Sequence, residues 1–299
     1  MRNGLSNRDA ARLDEKDVSS AVLSAVLPTD PEVAARVDRI ELPFNQFGID
    51  PYGVDKKQLG KLFTMLRYFA RKYFDVQAYG LDHVPDAGRG MLVGNHSGGI
   101  AIDGAMVIAT CFLDLDPPRL AQGMVDKFMA RLPDAGQMAS RVGQFTGLPE
   151  HAARLLEDDR LLMVFPEGHR GTAKLAKNAD TLVRFGTGFV RLALQTRTPV
   201  VPLAFVGGGD AFPTVMNLEI GKMFGVPYIP ITRYLLPVPR RTTFQLLFGR
   251  PIRFEGDGSE DDDTIAGMVE SVRDRIKHLI EQGRALREGH IQPSELELG

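Results

Sequence analysis

A histidine and a carboxylate follow the first short apolar run of the sequence that has the length of a buried strand. In VGNHSGGIAIDGAM (93–106), Asn95-His96 come directly after the run Met91–Gly94, and Asp103 lies where an apolar helix would begin. Histidine is the side chain suited to taking a proton from a hydroxyl near neutral pH, and a carboxylate can fix its tautomer. These two residues are therefore candidates for general-base chemistry, and the alternative is a His–Asp contact that only holds a loop together.

A second polar loop follows another apolar run. In MVFPEGHRGTAK (163–174), the run Leu161–Phe165 ends at Pro166, and Glu167, Gly168 and Arg170 lie in the loop that follows. Arginine would bind a phosphate or carboxylate through its fork of donors, and Glu167 would bind acceptor hydroxyls or orient the arginine. The alternative is a solvated ion pair within the loop, which contributes little stability.

A third loop, Gly207-Gly208-Gly209-Asp210, follows the run Val200–Val206. Its glycines would let the backbone approach a ligand closely, or would serve only a tight turn. The loop lacks the spacing of a dinucleotide fingerprint or a phosphate-binding P-loop.

Apolar runs of strand length alternate with segments of helical spacing from about residue 90, which predicts an α/β fold with a largely parallel central sheet flanked by helices. The predicted strands are Met91–Gly94, Leu161–Phe165, Val200–Val206 and Thr242–Phe248. The predicted helices are Ala10–Leu27, Ile102–Leu113, Lys127–Ser140, Glu150–Asp158 and Phe185–Gln195. A last helix is predicted after the acidic turn 255–263, with Asp262 or Asp263 as its N-cap. Residues 1–55 are predicted to be a partly ordered N-terminal extension, 56–256 the main domain, and 257–299 a C-terminal helix and tail packed on it.

Composition narrows the class of protein further. The chain has 299 residues with 36 Lys and Arg against 38 Asp and Glu, a formal net charge of −2, which disfavours nucleic-acid binding through bulk positive charge. Its single cysteine, Cys111, excludes an internal disulfide and a cysteine-rich zinc site, and no metal is expected. No apolar run reaches the ~20 residues of a membrane-spanning helix, and the first residues do not resemble a secretory signal.

Residues 56–74 combine an apolar arc with a basic one and contain no acidic residue. A helix of this kind suits an anionic bilayer surface, with the apolar face inserted. The alternative is an amphipathic helix whose apolar stripe faces the protein core. The proline-rich stretch 223–239 is a second candidate docking element, and a loop packed on the sheet is its alternative.

Four blocks, taken in order, resemble the glycerolipid acyltransferase superfamily of the lysophospholipid acyltransferase type. They are Asn95-His96 with Asp103, Gly143-Gln144-Phe145, the block Phe165–Arg170, and Val200-Val201-Pro202. The resemblance covers roughly residues 75–255. The sequence around the blocks is similar to that of a bacterial branch near the diacylglycerol and monoacylglycerol acyltransferase-like subgroup.

The resemblance implies transfer of a fatty acyl group from an acyl-CoA or acyl-carrier-protein thioester to a hydroxyl of a lipid acceptor, in phospholipid biosynthesis. His96 would be the general base and Asp103 its orienting partner, with no covalent acyl-enzyme and no cofactor beyond the thioester co-substrate. The residues that the resemblance assigns to substrate binding are Asn95, Ser97, Gly98, Phe145, Glu167, Gly168, Arg170 and Pro202.

Two departures from the family pattern bear on the chemistry. Six residues separate His96 from Asp103, whereas four are common, and no basic residue closely follows Phe145. The second departure favours a neutral acceptor lipid, or one with a different headgroup, over lysophosphatidate. The sequence thus predicts a cytoplasmic enzyme, peripheral on the inner face of the membrane, with either acyl-CoA or an acyl-carrier protein as its acyl donor. The alternative is a non-catalytic lipid-binding or lipid-transfer protein on the same fold.

Overall fold

A computed structural model describes residues 28–97, 102–125, 135–146, 149–218, 229–233 and 239–299. In the described ranges the strands are β1 (Val76–Tyr79), β2 (Gly90–Gly94), β3 (Ala121–Val125), β4 (Phe145–Thr146), β5 (Leu161–Val164), β6 (Val200–Val206), β7 (Thr214–Leu218), β8 (Ile229–Thr232) and β9 (Phe244–Phe248). The α-helices are α1 (Pro31–Asp38), α2 (Lys56–Tyr68), α3 (Ile102–Asp114), α4 (Ala135–Arg141), α5 (Pro149–Glu157), α6 (His169–Thr172), α7 (Gly188–Thr196), α8 (Gly208–Ala211) and α9 (Asp262–Arg287). A π-helical segment, Phe69–Tyr73, prolongs α2, and 3₁₀ turns cover Leu81–His83, Ala176–Asn178 and Pro293–Glu295.

The central sheet has the strand order β1-β9-β6-β2-β5-β3-β4. Strands β6, β2, β5, β3 and β4 are mutually parallel, whereas β9 is antiparallel to β6 and carries β1 parallel to itself. The prediction of a largely parallel α/β sheet is therefore confirmed. Strands β7 and β8 form a separate antiparallel pair.

Helices cover both faces of the sheet. Along β6 the side chains of Val201, Leu203 and Phe205 join one core with α1, α2 and α3, while Ala204 and Val206 join the other with α5, α7 and α9. Successive residues of a strand point to opposite faces, so a strand buried on both sides must be apolar throughout. This requirement explains the uninterrupted apolar run 200–206, which the sequence marked as a strand.

Helix α2 packs its apolar stripe into the core. Leu59, Phe63, Leu66 and Ala70 are buried, and the Phe63 ring stacks on Phe112 of α3 with 3.6 Å between ring centroids. The second of the two alternatives for residues 56–74, an apolar stripe that faces the core, is thus the observed one. The prediction that this stripe inserts into a bilayer is wrong, because its side chains are already buried.

The predicted element boundaries differ from the observed ones in particular places. The N-cap of α9 is Asp261, whose carboxylate accepts hydrogen bonds from the backbone N–H groups of Asp263 and Thr264, and not Asp262 or Asp263 as predicted. The predicted helix Ala10–Leu27 and much of the predicted helix Lys127–Ser140 lie outside the described residues, as does most of the stretch 223–239. Val33, Val37 and Ile40, from the predicted extension, are buried in the core beside α2.

The buried cysteine allows a first test of the packing. Cys111 lies inside α3 with no exposed surface, and burial raises the pKa of its thiol to about 12. Since the thiolate is the reactive form, we expect a disulfide reagent at pH 8 to leave Cys111 unmodified in the folded protein and to react with it fully in guanidinium chloride. Rapid stoichiometric labelling of the folded protein would contradict this packing of α3.

None of the helices in the described ranges combines the length and the apolar character needed to cross a bilayer.

Candidate active site

The carboxyl ends of three adjacent parallel strands meet at one edge of the sheet. Strand β2 leads into Asn95-His96, β5 leads into Phe165-Pro166-Glu167, and β6 leads into Gly207. Because the strand order is β6-β2-β5, the loop that carries His96 lies between the other two. Open α/β sheets bind their ligands at such an edge, so the topology alone brings the candidate residues together.

His96 and Asp103 are paired directly. The imidazole Nδ1 lies 3.0 Å from Asp103 Oδ2, and both side chains are almost completely buried. Asp103 is in the first turn of α3, which returns towards the end of β2 and so bridges the six intervening residues. The pairing that the resemblance implies is therefore present despite the longer spacing.

Asp103 is held in its ionised form. Burial by itself would raise the pKa of this carboxyl, but the electrostatic attraction of His96 and hydrogen bonds from His96, Ser97 and Gly104 outweigh it, so the pKa lies below its ordinary value. An ionised carboxylate only accepts hydrogen bonds, so the hydrogen between the pair lies on Nδ1. In the neutral imidazole the other ring nitrogen, Nε2, has a free lone pair, and it makes no hydrogen bond within the described part of the chain.

The His96 ring is fixed on two sides by the Phe165–Lys174 loop. The Phe165 ring stacks on the imidazole with 4.1 Å between centroids and 18° between ring planes. At Gly171 a Cβ atom would lie 2.7 Å from His96 Cβ and 2.8 Å from Glu167 Cβ, so only glycine allows the loop to approach this closely. The ring therefore has one packed orientation, with about a tenth of the side chain left exposed.

A buried ion pair stands beside the histidine. Lys174 Nζ lies 2.6 Å from Glu167 Oε2 and also donates to the backbone carbonyl oxygen of His96 at 2.6 Å. Burial raises the pKa of Glu167 and lowers that of Lys174, and each partner offsets part of the effect on the other. Sequence reasoning missed Lys174 as a site residue, and the available signal was a cation in the same glycine-containing loop as Glu167.

The residues that flank His96 are held by the protein itself. The side-chain amide of Asn95 donates to the backbone oxygen of Phe205 and accepts from its N–H, which extends the β2–β6 pairing by one step. Ser97 donates its backbone N–H to Asp103, while its buried hydroxyl has no hydrogen-bond partner among the described residues. Gly98, also predicted to bind substrate, lies outside the described residues.

The other residues that were predicted to bind substrate lie either in the loop that carries Glu167 or in the protein core. Gly168 has a positive φ of 56° and begins the turn that leads to Gly171. Arg170 is exposed on α6, next to Gly171, and makes no ion pair with any described residue. Phe145 is buried at the start of β4, against the His151 ring, and Pro202 is buried inside β6 in register with Val93. The structure thus brings His96, Asp103 and Glu167 together and places Phe145 and Pro202 in the supporting core.

The arrangement has the parts needed to move a proton without a metal ion or a nucleophilic side chain. A basic nitrogen, Nε2, faces away from its orienting carboxylate at the open edge of the sheet. Across the described ranges, no three His, Cys, Asp or Glu side chains come together in the way that a metal ion requires. A hydroxyl bound at Nε2 would be activated as a nucleophile by general-base catalysis.

Comparison with known proteins agrees with this geometry. Residues 75–206 match the family model described as Acyltransferase, and this range contains β1 to β6, His96, Asp103 and the Glu167 loop. The crystal structure of the 1-acyl-sn-glycerophosphate (LPA) acyltransferase PlsC from Thermotoga maritima has a similar fold, with a TM-score of 0.53 and 15% identity over 77% of this chain and 82% of that one.

Two mycobacterial proteins are similar in sequence over most of the chain. The uncharacterized protein Rv0502 of Mycobacterium tuberculosis is 29% identical over 247 residues, which span 79% of this chain and 68% of the relative. The uncharacterized protein ML2427 of Mycobacterium leprae is 29% identical over 248 residues, which span 80% of this chain and 66% of the relative.

The matched range indicates an enzyme that transfers acyl groups, and the fold is compatible with it. The family model identifies residues 75–206 as an acyltransferase domain, and the fold agrees with that assignment. Between the two alternatives drawn from the sequence, the match to the Acyltransferase model favours the enzyme over the lipid-binding protein.

Proposed function

We propose that this acyltransferase moves a fatty acyl group from a thioester of CoA or of acyl-carrier protein to a hydroxyl of a glycerolipid acceptor, with His96 as the general base. The single observation that carries the proposal is the 3.0 Å pair between His96 Nδ1 and Asp103 Oδ2, with Nε2 unpartnered among the described residues. Nε2 takes the proton of the acceptor hydroxyl while the oxygen attacks the thioester carbonyl. The thiol leaves with a proton, and the acyl group ends as an ester of the acceptor.

Glu167, Gly168 and Arg170 bind the acceptor in this proposal. Arg170 is exposed and unpaired within the described residues, so its guanidinium is available to a polar headgroup, while the Glu167–Lys174 pair forms the wall beside His96. Thr146 and not a cation follows Phe145, and the next cation with a fixed charge is Arg154 in α5. We therefore propose a neutral or differently headed acceptor, in contrast to the lysophosphatidate named for the Thermotoga enzyme.

The assay compares acceptors directly. The purified chain is incubated with a long-chain acyl-CoA or acyl-carrier protein and, separately, with a panel of lysophospholipids, monoacylglycerol and diacylglycerol. The expected result is ester formation that is faster with a neutral or non-phosphomonoester acceptor than with lysophosphatidate. Lysophosphatidate as the best acceptor would contradict the acceptor class, and no ester from any pair would contradict the function.

We further propose that the enzyme works on the inner, cytoplasmic face of the membrane and contacts it through the outer face of α2. At 100° per residue, Lys57, Lys61, Met65 and Tyr68 fall within an arc of about 80°, opposite the buried stripe. The exposed Lys72 follows in the π-helical segment that prolongs α2. Met65 and Tyr68 are 39% and 53% exposed. Aromatic and apolar side chains flanked by lysines suit an anionic interface.

Charge reversal tests this surface. We expect K57E/K72E to reduce sedimentation with phosphatidylglycerol vesicles, with the effect shrinking at high salt because surface charges are screened. The matched control is R197E/R253E, which reverses two exposed arginines at the opposite edge of the sheet. Equal sedimentation of the K57E/K72E variant and the unmodified protein would show that this face does not bind the membrane.

A further inference from the structure

A cleft lined by four arginines opens beside the candidate active site. Its volume is about 540 Å³, within the range that takes a small organic ligand. The residues that line it are Ala176, Gly209, Asp210, Pro213, Arg233, Arg240, Arg241, Thr242 and Arg287. Four cations face a single lining carboxylate, so the cleft attracts an anion.

Two residues that line the cleft, Gly209 and Ala176, are close in sequence to residues that contact His96 or its neighbour Ser97. Gly209 lines the cleft, and at Gly208, one residue earlier, a Cβ atom would lie 1.9 Å from the hydroxyl oxygen of Ser97, the residue after His96. Ala176 lines the other wall, two residues beyond Lys174, which donates to the His96 carbonyl oxygen. A ligand in the cleft is therefore next to the reacting centre without occupying it.

The arginines have different structural roles. Arg287 at the end of α9 pairs with Asp210 at 2.6 Å and donates to the Thr242 hydroxyl, so it ties the cleft walls together. The Arg241 guanidinium lies over the Tyr73 ring, 5.4 Å from its centroid. Arg233 directly follows β8 and forms no ion pair with any described residue. Arg233 and Arg241 are both exposed, so their guanidinium groups are available to a ligand.

We propose that this cleft binds the phosphate groups of the acyl donor, as the phosphorylated nucleoside diphosphate of a CoA thioester, an assignment that rests on the proposed function. Guanidinium groups bind phosphate oxygens through paired hydrogen bonds, and a diphosphate with a further phosphate presents several such partners. The polar lining does not suit an acyl chain. The extended arm of CoA separates its phosphates from the thioester, which lets the thioester reach His96 while the phosphates remain in the cleft.

Equilibrium binding of free CoA to the full chain tests the proposal without any turnover. We expect R233Q/R241Q to weaken CoA binding by ~10-fold or more, since each charge-assisted contact is worth about that factor. The control R197Q/R253Q removes two exposed arginines at the opposite sheet edge and should bind CoA within ~2-fold of the unmodified protein. Dephospho-CoA, which lacks one phosphate, should bind the unmodified protein more weakly than CoA does, and the difference should shrink in R233Q/R241Q.

Each result supports or contradicts the proposal that the cleft binds the phosphates of CoA. Unchanged CoA affinity in R233Q/R241Q overturns the proposed CoA site. This holds whether the variant loses binding to phosphatidylglycerol vesicles, loses binding to acyl-carrier protein, or keeps both. An equal loss in the control overturns it as well. A protein that binds CoA through these arginines but transfers no acyl group keeps the site and contradicts the proposed function, so the two failures are distinguishable.

Discussion

Replacing His96 by asparagine is expected to lower the rate of acyl transfer by about 10²–10⁴-fold, the usual contribution of a general base. Asparagine keeps an N–H donor in reach of Asp103 and removes the basic nitrogen that faces the substrate edge of the sheet. The buried carboxylate therefore retains a partner, which limits the cost to folding. The loss should appear in kcat, with a smaller change in KM, because substrate binding depends on other residues.

His169 is the matched control for this variant. It lies in the same loop region, two residues after Glu167, but it is exposed. We expect H169N to transfer acyl groups within a few-fold of the unmodified rate. Circular dichroism and CoA binding should be unchanged in both variants, and an H96N protein within about tenfold of the unmodified rate would show that His96 is not the base.

The second large effect concerns the buried Glu167–Lys174 pair. Replacing Lys174 by methionine leaves the Glu167 carboxylate buried without its counter-charge and also removes the donor to the His96 carbonyl oxygen. Loss of one partner of a buried ion pair typically costs about 3–5 kcal/mol of unfolding free energy. We expect K174M to show a loss of this size at pH 7 in urea unfolding, and E167Q/K174M, which has no orphaned charge, to recover most of it.

The pH dependence of the K174M variant gives this prediction a defined sign. Burial raises the pKa of Glu167 above its ordinary value of 4.5, and removal of Lys174 takes away the largest opposing effect. A carboxyl with a raised pKa in the folded state binds more protons there than in the unfolded state, so stability increases as the pH falls through that raised pKa. The deficit of K174M should therefore shrink on acidification towards 4.5. A deficit that grows on acidification would contradict an orphaned buried carboxylate.

Much of the fold was predictable because its strands are buried on both faces. The run 200–206 has the same bounds in the sequence and in the structure, and Met91–Gly94 and Leu161–Phe165 differ from β2 and β5 by one residue at one end. Strands β1, β3 and β4 and the β7–β8 pair were missed. Strands β1 and β7 have partly exposed side chains, and Gln122 and Gly123 interrupt β3, so no apolar run marked them.

The centre of the candidate site was also predictable, since parallel strand ends converge on one edge. His96, Asp103 and Glu167 each stand near the end of a strand or the start of a helix that the sequence identified. The sequence offered Lys174 only as a cation in the same loop as Glu167, because its contacts depend on a turn at Gly168 and on the close packing of Gly171 against His96. The orientation of α2 was equally undecided in the sequence, since an apolar stripe is compatible with a bilayer and with a core, and only the contact with Phe112 decides it.

The central claim is that His96 and Asp103 act as one unit, and a double-mutant cycle on acyl transfer tests it most directly. H96N, D103N and H96N/D103N are compared with the unmodified protein at saturating donor and acceptor. If Asp103 acts only by orienting His96, the double variant is no slower than H96N alone, because removing the orienting group costs nothing once the base is gone. Rate losses that multiply in the double variant would contradict the account.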